Sequence, residues 1–298
     1  ESPTFKWKEH DHVIAQVAKL AKDKCIRIAG TGSNNTIEAL EAAGRAAKEG
    51  VDAVLMVDPY YNGPSSLEIR REYYEVIAKA YPDVAIIPYI IPGRTGSQML
   101  PQDLAILAKN FSNISCVKEA TGNLENMKLT RKFCGNNFKI FSGDDALIYD
   151  IMTDPGIKAC GSISVMSNII PKFMAQMALL LNQGDVDGAG KIHTAIKPLL
   201  DLVVVNTQEE SEFGPVYCRA RNPLPLKTIM QLLGMPGGPC RSPLGKMTQK
   251  GFHVLLDTAK TVQAKNPEIF EPIALFFNVD IEERLNNKEF QEDLWYNY

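Results

Sequence analysis

Residues 114–142, ISCVKEATGNLENMKLTRKFCGNNFKIFS, contain a complete strand–helix–strand pattern. The apolar runs at 114–118 and 138–142 have the length of buried strands. The stretch between them, 124–133, repeats apolar residues with helical spacing and follows the turn residues Thr121, Gly122 and Asn123. Neighbouring parallel strands are usually joined by a helix of this kind. The stretch therefore predicts one βαβ unit of an α/β fold.

The same alternation continues on both sides of this unit. Four further short apolar runs are predicted strands, at 25–29, 53–57, 84–90 and 157–164. Three further amphipathic stretches are predicted crossover helices, at 36–48, 66–79 and 101–109. Periodicity alone is compatible with two architectures, an open doubly wound sheet and part of an eight-stranded parallel barrel.

After residue 168 the pattern changes. The sequence from 171 to 264 reads as successive helices, and the segment from 266 onwards combines an apolar patch with a short polar helix. We therefore predict an α/β portion at 1–170, a helical domain at 171–265 and an extension of unknown role at 266–298.

Composition and charge narrow the classes of partner. The 298 residues are 45% hydrophobic and 22% charged, which is ordinary for a globular protein. The 32 Lys and Arg against 35 Asp and Glu give a net charge of −3, so we expect neither nucleic acid nor a membrane as a partner. The six cysteines include no C-x-x-C pair, which argues against a zinc site or a disulfide framework and favours the cytoplasm.

Two motifs that could bind a ligand have simpler explanations. Gly30-Thr31-Gly32 follows a predicted strand, but Asn35 occupies the position of the third glycine in a dinucleotide-binding loop. We expect a tight turn, with Asn34 or Asn35 capping the next helix. The pair after Gly143, at 144 and 145, is more often a helix cap than a cation site. We expect no metal.

Lys118 is a stronger candidate than these two motifs because it ends an apolar strand. Active-site groups of parallel α/β proteins lie at the carboxyl ends of the strands. Burial there would lower the pKa of the amine, and a neutral amine can attack a carbonyl and form a Schiff base. For an arbitrary lysine at a strand end, a solvent-exposed side chain paired with Glu119 would be the commoner outcome.

Residues at the ends of two neighbouring predicted strands support the first interpretation. Tyr89 ends the strand before Lys118, and Arg94 follows it in a Pro-Gly turn. Tyr60 and Tyr61 follow the strand at 53–57. A buried amine, phenols that can relay protons and a guanidinium suited to a carboxylate form a consistent set for carbonyl chemistry.

These motifs resemble those of the dihydrodipicolinate synthase family. The resemblance rests on six segments and spans residues 1 to 260: DPYYN at 58–62, YIIPGRTG at 89–96, VKEATGN at 117–123, SGDDA at 142–146, GSISV at 161–165 and NPLPLK at 222–227. It implies a TIM (β/α)8-type barrel, here with the first two strands absent from the sequence, followed by a C-terminal helical domain. It also implies condensation of pyruvate with aspartate semialdehyde in lysine biosynthesis, with no metal or organic cofactor.

The resemblance assigns roles residue by residue. Lys118 would form the imine with pyruvate, with Tyr89 as the proton donor and acceptor beside it. Tyr61 would extend the proton relay and reach across a dimer interface. Arg94 would bind the carboxylate of the semialdehyde. The main chain at Gly143 and the side chain of Ile163 would form the wall of the pyruvate pocket.

The family also has a feedback site for lysine at the dimer interface, and its subunits form a tetramer that is a dimer of dimers. The positions that match this lysine site are Ser2, Trp7, His10, Asn34, Glu38 and Tyr60. A carboxamide and a carboxylate suit the two charged ends of an amino acid. The resemblance therefore implies lysine as an inhibitor and a homotetramer as the assembly.

The family has a preceding segment that carries the first two strands and a relay threonine, so we expect the native protein to be longer. Two alternatives stay open. One is a sibling pyruvate aldolase that acts on sialic acid or keto-deoxy sugars, which usually lacks an arginine at the position of Arg94. The other is an inactive lysine-binding homologue.

Overall fold

The computed structural model describes residues 1–296. The described chain divides into two compact units. The first, called the barrel unit here, comprises Thr4–Ile163 together with Ser2. The second, the C-terminal unit, comprises the chain from Ser164 onwards together with Glu1 and Pro3.

The barrel unit alternates strands and helices. Within the described residues, its strands form a parallel sheet in sequential order: β1 Ile28–Gly30, β2 Ala53–Val57, β3 Ala85–Ile90, β4 Cys116–Glu119, β5 Lys139–Ser142 and β6 Gly161–Ser162. Its helices are α1 Trp7–Ala21, α2 Thr36–Lys48, α3 Ser66–Glu68, α4 Glu75–Ala80, α5 Pro92–Thr95, α6 Pro101–Asn110, α7 Leu124–Cys134 and α8 Ile148–Thr153, with a π-helical segment Ile69–Tyr74 between α3 and α4.

Local sequence explains how these elements form. The side chain of Asn35 accepts a hydrogen bond from the Ile37 N–H (2.9 Å) and caps α2, as the sequence predicts. Small residues then recur on one face of α2, where Ala39, Ala43 and Ala46 are buried against the sheet. The helix can approach the strands closely because these side chains are short.

The strands present different residues on their two faces. Val54 and Met56 of β2 and Val117 of β4 belong to the core cluster that also includes residues from the helices. The residues that alternate with these along each strand, such as Lys118 after Val117, point to the opposite face because side chains alternate along a strand. The sequential parallel order is that of a (β/α)8 barrel. It confirms the predicted fold class and excludes the doubly wound order.

The predicted strands exist, and the bounds of the first and the last differ most from the prediction. The first is predicted at 25–29 and observed at Ile28–Gly30, with Ile26 75% exposed. The last is predicted at 157–164 and observed only at Gly161–Ser162, because the residues before it form a turn around Asp154. An apolar, β-branched run is typical of a strand, but it forms one only where a neighbour supplies hydrogen bonds.

The C-terminal unit is mainly helical, as predicted, with α9 Pro171–Gln183, α10 Val186–Leu200, α11 Leu224–Leu232, α12 Gln249–Lys265, α13 Glu271–Phe277 and α14 Ile281–Asn286. The prediction of helices throughout 171–264 is wrong in two places, since residues 233–248 between α11 and α12 contain no helix and residues 204–221 form strands. Strands β7 Val204–Ser211 and β8 Gly214–Arg221 form an antiparallel hairpin. The Phe213-Gly214 turn and the alternating polar residues of this stretch are hairpin signals that outweigh its helical spacing.

The segment after 265 folds back on the rest of its own unit. Ile273, Ile281 and Leu285 are buried, and the ring of Trp295 lies 4.6 Å from that of Phe252 in α12. Arg284 donates from Nε to the carbonyl oxygen of Leu232 (2.9 Å). Among residues 1–296, no helix has the length and apolar character needed to cross a bilayer.

Candidate active site

Lys118 and Tyr89 are paired across adjacent strands. They are register partners in β4 and β3, near the carboxyl end of each strand. Because partners in register point to the same face, the two side chains meet. The ammonium nitrogen Nζ of Lys118 lies 4.1 Å from the centroid of the Tyr89 ring. The structure therefore brings together the two residues on which the predicted carbonyl chemistry depends.

The environment of Lys118 favours its neutral form. The residue is 8% exposed, and burial lowers the pKa of its amine from 10.5 to about 8. The carboxylate of Asp145 opposes this shift, while the positive charge of Arg94 adds to it. Burial is the largest of the three effects, so the strand-end lysine is not the exposed, paired side chain of the alternative interpretation.

Gly143 and Ile163 occupy the ends of the next two strands. A Cβ atom added at Gly143 would lie 3.0 Å from Cε and 3.1 Å from Cγ of Lys118, and 2.8 Å from Cβ of Ala120. Gly143 donates its N–H to the Glu119 carbonyl (2.7 Å), and Ile163 donates to the Ser142 carbonyl (2.9 Å). The main chain at Gly143 therefore lies directly against the lysine side chain.

Arg94 and Tyr61 are the exposed members of the predicted site. Arg94 lies on the short helix α5 and is close enough to Lys118 to shift the pKa of its amine. Tyr61 is 91% exposed and has a φ of 71°, in the left-handed region that is rare for bulky residues. Its N–H donates to the Thr95 carbonyl (3.4 Å), so the tyrosine loop is attached to the residue after Arg94.

The predicted lysine-site residues are distributed over the amino-terminal part of the barrel unit. Trp7 and His10 are in contact on α1, with ring centroids 5.4 Å apart. Burial lowers the pKa of His10, which opposes its protonation, and the Nδ1 atom of this ring is buried without a hydrogen-bond partner in the described chain. Ser2 lies in the 3₁₀ turn Ser2–Thr4, and Tyr60 lies beside Tyr61, 42% exposed.

The remaining two predicted lysine-site residues lie at the start of α2. Glu38 accepts a hydrogen bond from the Ser33 hydroxyl (2.7 Å). The Oδ1 atom of Asn34 is buried and has no hydrogen-bond partner within residues 1–296. An unsatisfied buried acceptor is costly, so this carbonyl oxygen lacks the partner that would offset its burial.

Sequence reasoning missed three buried carboxyl groups near the strand ends. Asp145 is 3% exposed and acts on Lys118, whereas its neighbour Asp144 caps the following turn through the Ala146 N–H (3.1 Å). Asp58 and Glu119 are completely buried, directly after β2 and at the end of β4. A charged residue that ends an apolar strand is the signal that identified Lys118, and it could have identified these two.

Glu119 faces away from Lys118, towards the helices. Its carboxylate accepts hydrogen bonds from the Thr121 N–H (2.7 Å) and from Nδ2 of Asn126 in α7 (3.1 Å). Burial raises its pKa in spite of these bonds. Nowhere in the described part of the chain do three or more His, Cys, Asp or Glu side chains form a group that could hold a metal ion.

Comparisons of the sequence with known proteins point to one family. A sequence model of the dihydrodipicolinate synthetase family matches residues 1–262. The 4-hydroxy-tetrahydrodipicolinate synthase of Methanococcus vannielii is 38% identical over 262 residues, which cover 88% of this chain and 83% of the relative. The corresponding enzyme of Cyanothece is 38% identical over 244 residues, 82% of this chain and 76% of the relative.

Solved structures give the same result for the fold. The dihydrodipicolinate synthase of Cyanidioschyzon merolae, solved with lysine bound, superposes with a TM-score of 0.78 at 34% identity. The alignment covers 88% of this chain and 82% of that one. The dihydrodipicolinate synthase of Aquifex aeolicus superposes with a TM-score of 0.77 at 31% identity, over 87% and 82% of the two chains. The sequence motifs, the order of the strands and these similarities together place the chain in the dihydrodipicolinate synthetase family.

Proposed function

We propose that this chain is a 4-hydroxy-tetrahydrodipicolinate synthase that condenses pyruvate with L-aspartate 4-semialdehyde in lysine biosynthesis. The observation that carries the proposal is the buried amine of Lys118 against the ring of Tyr89 at the carboxyl end of the sheet. The relatives that carry this enzyme name match most of the chain.

The first step is formation of a Schiff base. The neutral amine of Lys118 adds to the ketone carbon of pyruvate, the carbonyl oxygen leaves as water after it gains protons, and a C=N bond remains. With a pKa of about 8, roughly one amine in ten is neutral at pH 7, against about one in three thousand at the ordinary value of 10.5. Burial of Lys118 therefore supplies the nucleophile.

The other residues move protons and hold the reactants. The Tyr89 phenol gives and takes protons beside the amine, and the exposed Tyr61 extends this relay in a neighbouring subunit. Arg94 binds the carboxylate of the semialdehyde, which its planar guanidinium suits. Gly143 and Ile163 form the wall of the pyruvate pocket. Loss of a proton from the methyl group converts the imine into an enamine. The former methyl carbon then attacks the aldehyde carbon of the semialdehyde and forms the new C–C bond.

Borohydride reduction with pyruvate tests the imine. We expect pyruvate to be trapped on the peptide that contains Lys118, at a rate that rises with pH through about 8 because the neutral amine reacts. The variant Lys118→Met should not be labelled. A folded, full-length protein whose Lys118 peptide stays unmodified would contradict the imine and favour an inactive homologue.

The identity of the second substrate, which reacts with the pyruvate imine, is tested separately. We expect turnover of aspartate semialdehyde but not cleavage of sialic acid, and a selective loss of the first activity in Arg94→Ala. The positive charge of Arg94 beside Lys118 supports this choice. Efficient cleavage of sialic acid, or an Arg94→Ala variant as active on the semialdehyde as the wild type, would favour the sibling aldolase.

We further propose inhibition by lysine at Ser2, Trp7, His10, Asn34, Glu38 and Tyr60. The buried Asn34 Oδ1 and His10 Nδ1, which lack partners in the described chain, support the proposal, and a family member was solved with lysine bound. A homotetramer in the cytoplasm is part of the same proposal and rests on the resemblance. The 91% exposure of Tyr61 is compatible with a role at a subunit interface.

A further inference from the structure

The carboxyl group of Asp58 is completely buried behind the candidate site. Asp58 follows β2 and precedes the loop that carries Tyr60 and Tyr61. Its Oδ2 atom accepts a hydrogen bond from the Met99 N–H (2.9 Å), and its own N–H donates to the Tyr89 carbonyl (3.1 Å). Asp58 therefore joins three pieces of chain near the site, which are the end of β2, strand β3 and the segment after α5.

The second oxygen of Asp58 contacts a buried phenol. The Tyr74 hydroxyl lies 2.9 Å from Asp58 Oδ1 and 2.7 Å from the carbonyl oxygen of Met56. A phenol has one proton to donate. If Asp58 is ionised, Tyr74 can satisfy only one of these two acceptors. If Asp58 is protonated on Oδ1, it donates to Tyr74 while Tyr74 donates to Met56, and both short contacts become hydrogen bonds.

The groups around Asp58 favour the protonated form. The pKa of Asp58 is raised to about 7, with burial as the largest cause and the buried carboxylate of Glu119 from β4 as a further one. The hydrogen bonds from Met99 and Tyr74 oppose the shift. The phenol of Tyr73, next to Tyr74 in the π-helical segment, also faces Asp58.

The Asp58–Tyr74 pair lies against the main chain of Tyr89. The Tyr89 carbonyl accepts a hydrogen bond from the Asp58 N–H (3.1 Å), and the Tyr89 N–H lies near the Tyr74 phenol, where it opposes the burial that raises the pKa of that phenol. Both polar groups of the Tyr89 backbone are thus next to this pair. The side chain of Tyr89 in turn contacts Lys118.

We propose that Asp58 is a positioning residue that acts as a neutral carboxylic acid, donating to Tyr74 and accepting from Met99 so that the Tyr89 main chain is fixed against Lys118. The proposal deepens the proposed function, because it takes Tyr89 as the group that moves protons there. Asp58 itself does not contact Lys118 through its side chain, which hydrogen-bonds Tyr74 and Met99.

The first test is the pH dependence of kcat in the full chain and in Asp58→Asn. The asparagine mimics the protonated acid, since its amide donates to Tyr74 and its carbonyl accepts from Met99. We expect comparable kcat values near pH 6, and a ratio of variant to wild type that rises about tenfold between pH 6 and 9 as Asp58 ionises. A constant ratio would overturn the proposal, because ionisation of Asp58 would then have no effect on kcat. A ratio that falls with pH would also overturn it, because the wild type would then need the ionised carboxylate.

The second test uses two neighbouring phenols. Tyr74→Phe removes the hydroxyl that links Asp58 to Tyr89, and we expect kcat to fall about tenfold or more with a smaller change in KM for pyruvate. Tyr73→Phe is the matched control, because Tyr73 is equally buried but accepts its hydrogen bond from the Ser33 N–H (3.1 Å). Equal effects of the two variants on kcat would contradict the positioning role.

A third measurement does not depend on turnover. The folded pKa of Asp58 lies above the unfolded value of 3.8, so the folded state retains its proton longer and the free energy of unfolding should fall as pH rises from about 4 to 7. Asp58→Asn should lack this part of the pH dependence. If the free energy of unfolding depended on pH in the same way in both proteins, Asp58 would not be protonated in the folded state. An inactive wild type with divergent curves would instead contradict only the proposed enzyme activity.

Discussion

Gly143 shows how one residue can control the position of Lys118, the proposed imine-forming lysine, without any chemistry of its own. Its main chain lies so close to Lys118 that a single added carbon would come within 3.0 Å of Cε. The same carbon would come within 2.8 Å of Cβ of Ala120, which cannot rotate away. Since reacting groups must be placed closely, a small displacement of the amine should slow imine formation strongly.

We therefore expect Gly143→Ala to reduce the rate of pyruvate trapping about tenfold or more, while the protein still folds. The measurement is the rate of borohydride-dependent labelling at fixed pyruvate. Gly30→Ala is the matched control, because a Cβ at Gly30 meets no atom within 4 Å. Equal labelling rates for Gly143→Ala and the wild type would show that the lysine tolerates the added carbon.

At the scale of secondary-structure elements, Arg131 ties helix α7 to the segments that lead into the next two strands. The residue is 8% exposed, and its guanidinium donates to the carbonyls of Gly135 (2.7 Å), Phe138 (2.6 Å), Ile157 (2.8 Å) and Lys158 (3.1 Å). These carbonyls belong to the segments that enter β5 and β6. Burial lowers the pKa of Arg131, but a guanidinium stays protonated throughout the ordinary pH range.

We expect Arg131→Ala to lower the free energy of unfolding by about 3 kcal/mol or more, because carbonyl oxygens would lose their donors in a buried site. Denaturant unfolding measures this change. Lys132→Ala is the control, since Lys132 is the next residue of the same helix and is exposed, so its loss should cost much less. A small effect of Arg131→Ala would mean that water replaces the guanidinium.

At the scale of the whole molecule, the segment after α12 is part of the C-terminal unit. Gln291 donates from Nε2 to the Leu285 carbonyl (3.0 Å), and the Arg284 guanidinium lies 4.0 Å from the Phe290 ring. The N–H of Tyr296 donates to the Met247 carbonyl (3.0 Å). These contacts give the extension a stabilising role that its sequence alone did not indicate.

We expect Leu285→Ala to lower the free energy of unfolding of the C-terminal unit by about 2–5 kcal/mol, the usual cost of removing a buried leucine side chain. Leu275→Ala is the matched control, because Leu275 is 75% exposed whereas Leu285 is 1% exposed. Thermal unfolding of both variants measures the difference. Equal losses of stability would contradict a packed extension.

Much of the barrel unit could be predicted because its signals are local. The strand–helix alternation, the Asn35 cap and the position of Lys118 at a strand end all follow from residues close together in sequence. The hairpin at 204–221 has weaker local signals, which are its turn and its alternating polar residues. Its register pairs residues such as Val204 and Arg221, 17 positions apart, and this pairing is what turns the two stretches into strands.

The parallel α/β class and the family follow from local sequence, as does the choice of Lys118 as the proposed imine-forming residue, because periodicity and motifs reside in neighbouring residues. The burial of Lys118, the effect of Asp145 on its amine and the hydrogen bonds of Asp58 appear only in the folded chain. Burial and hydrogen-bond partners depend on residues far apart in the chain. Asp58 and Met99, for example, meet across 41 positions of sequence.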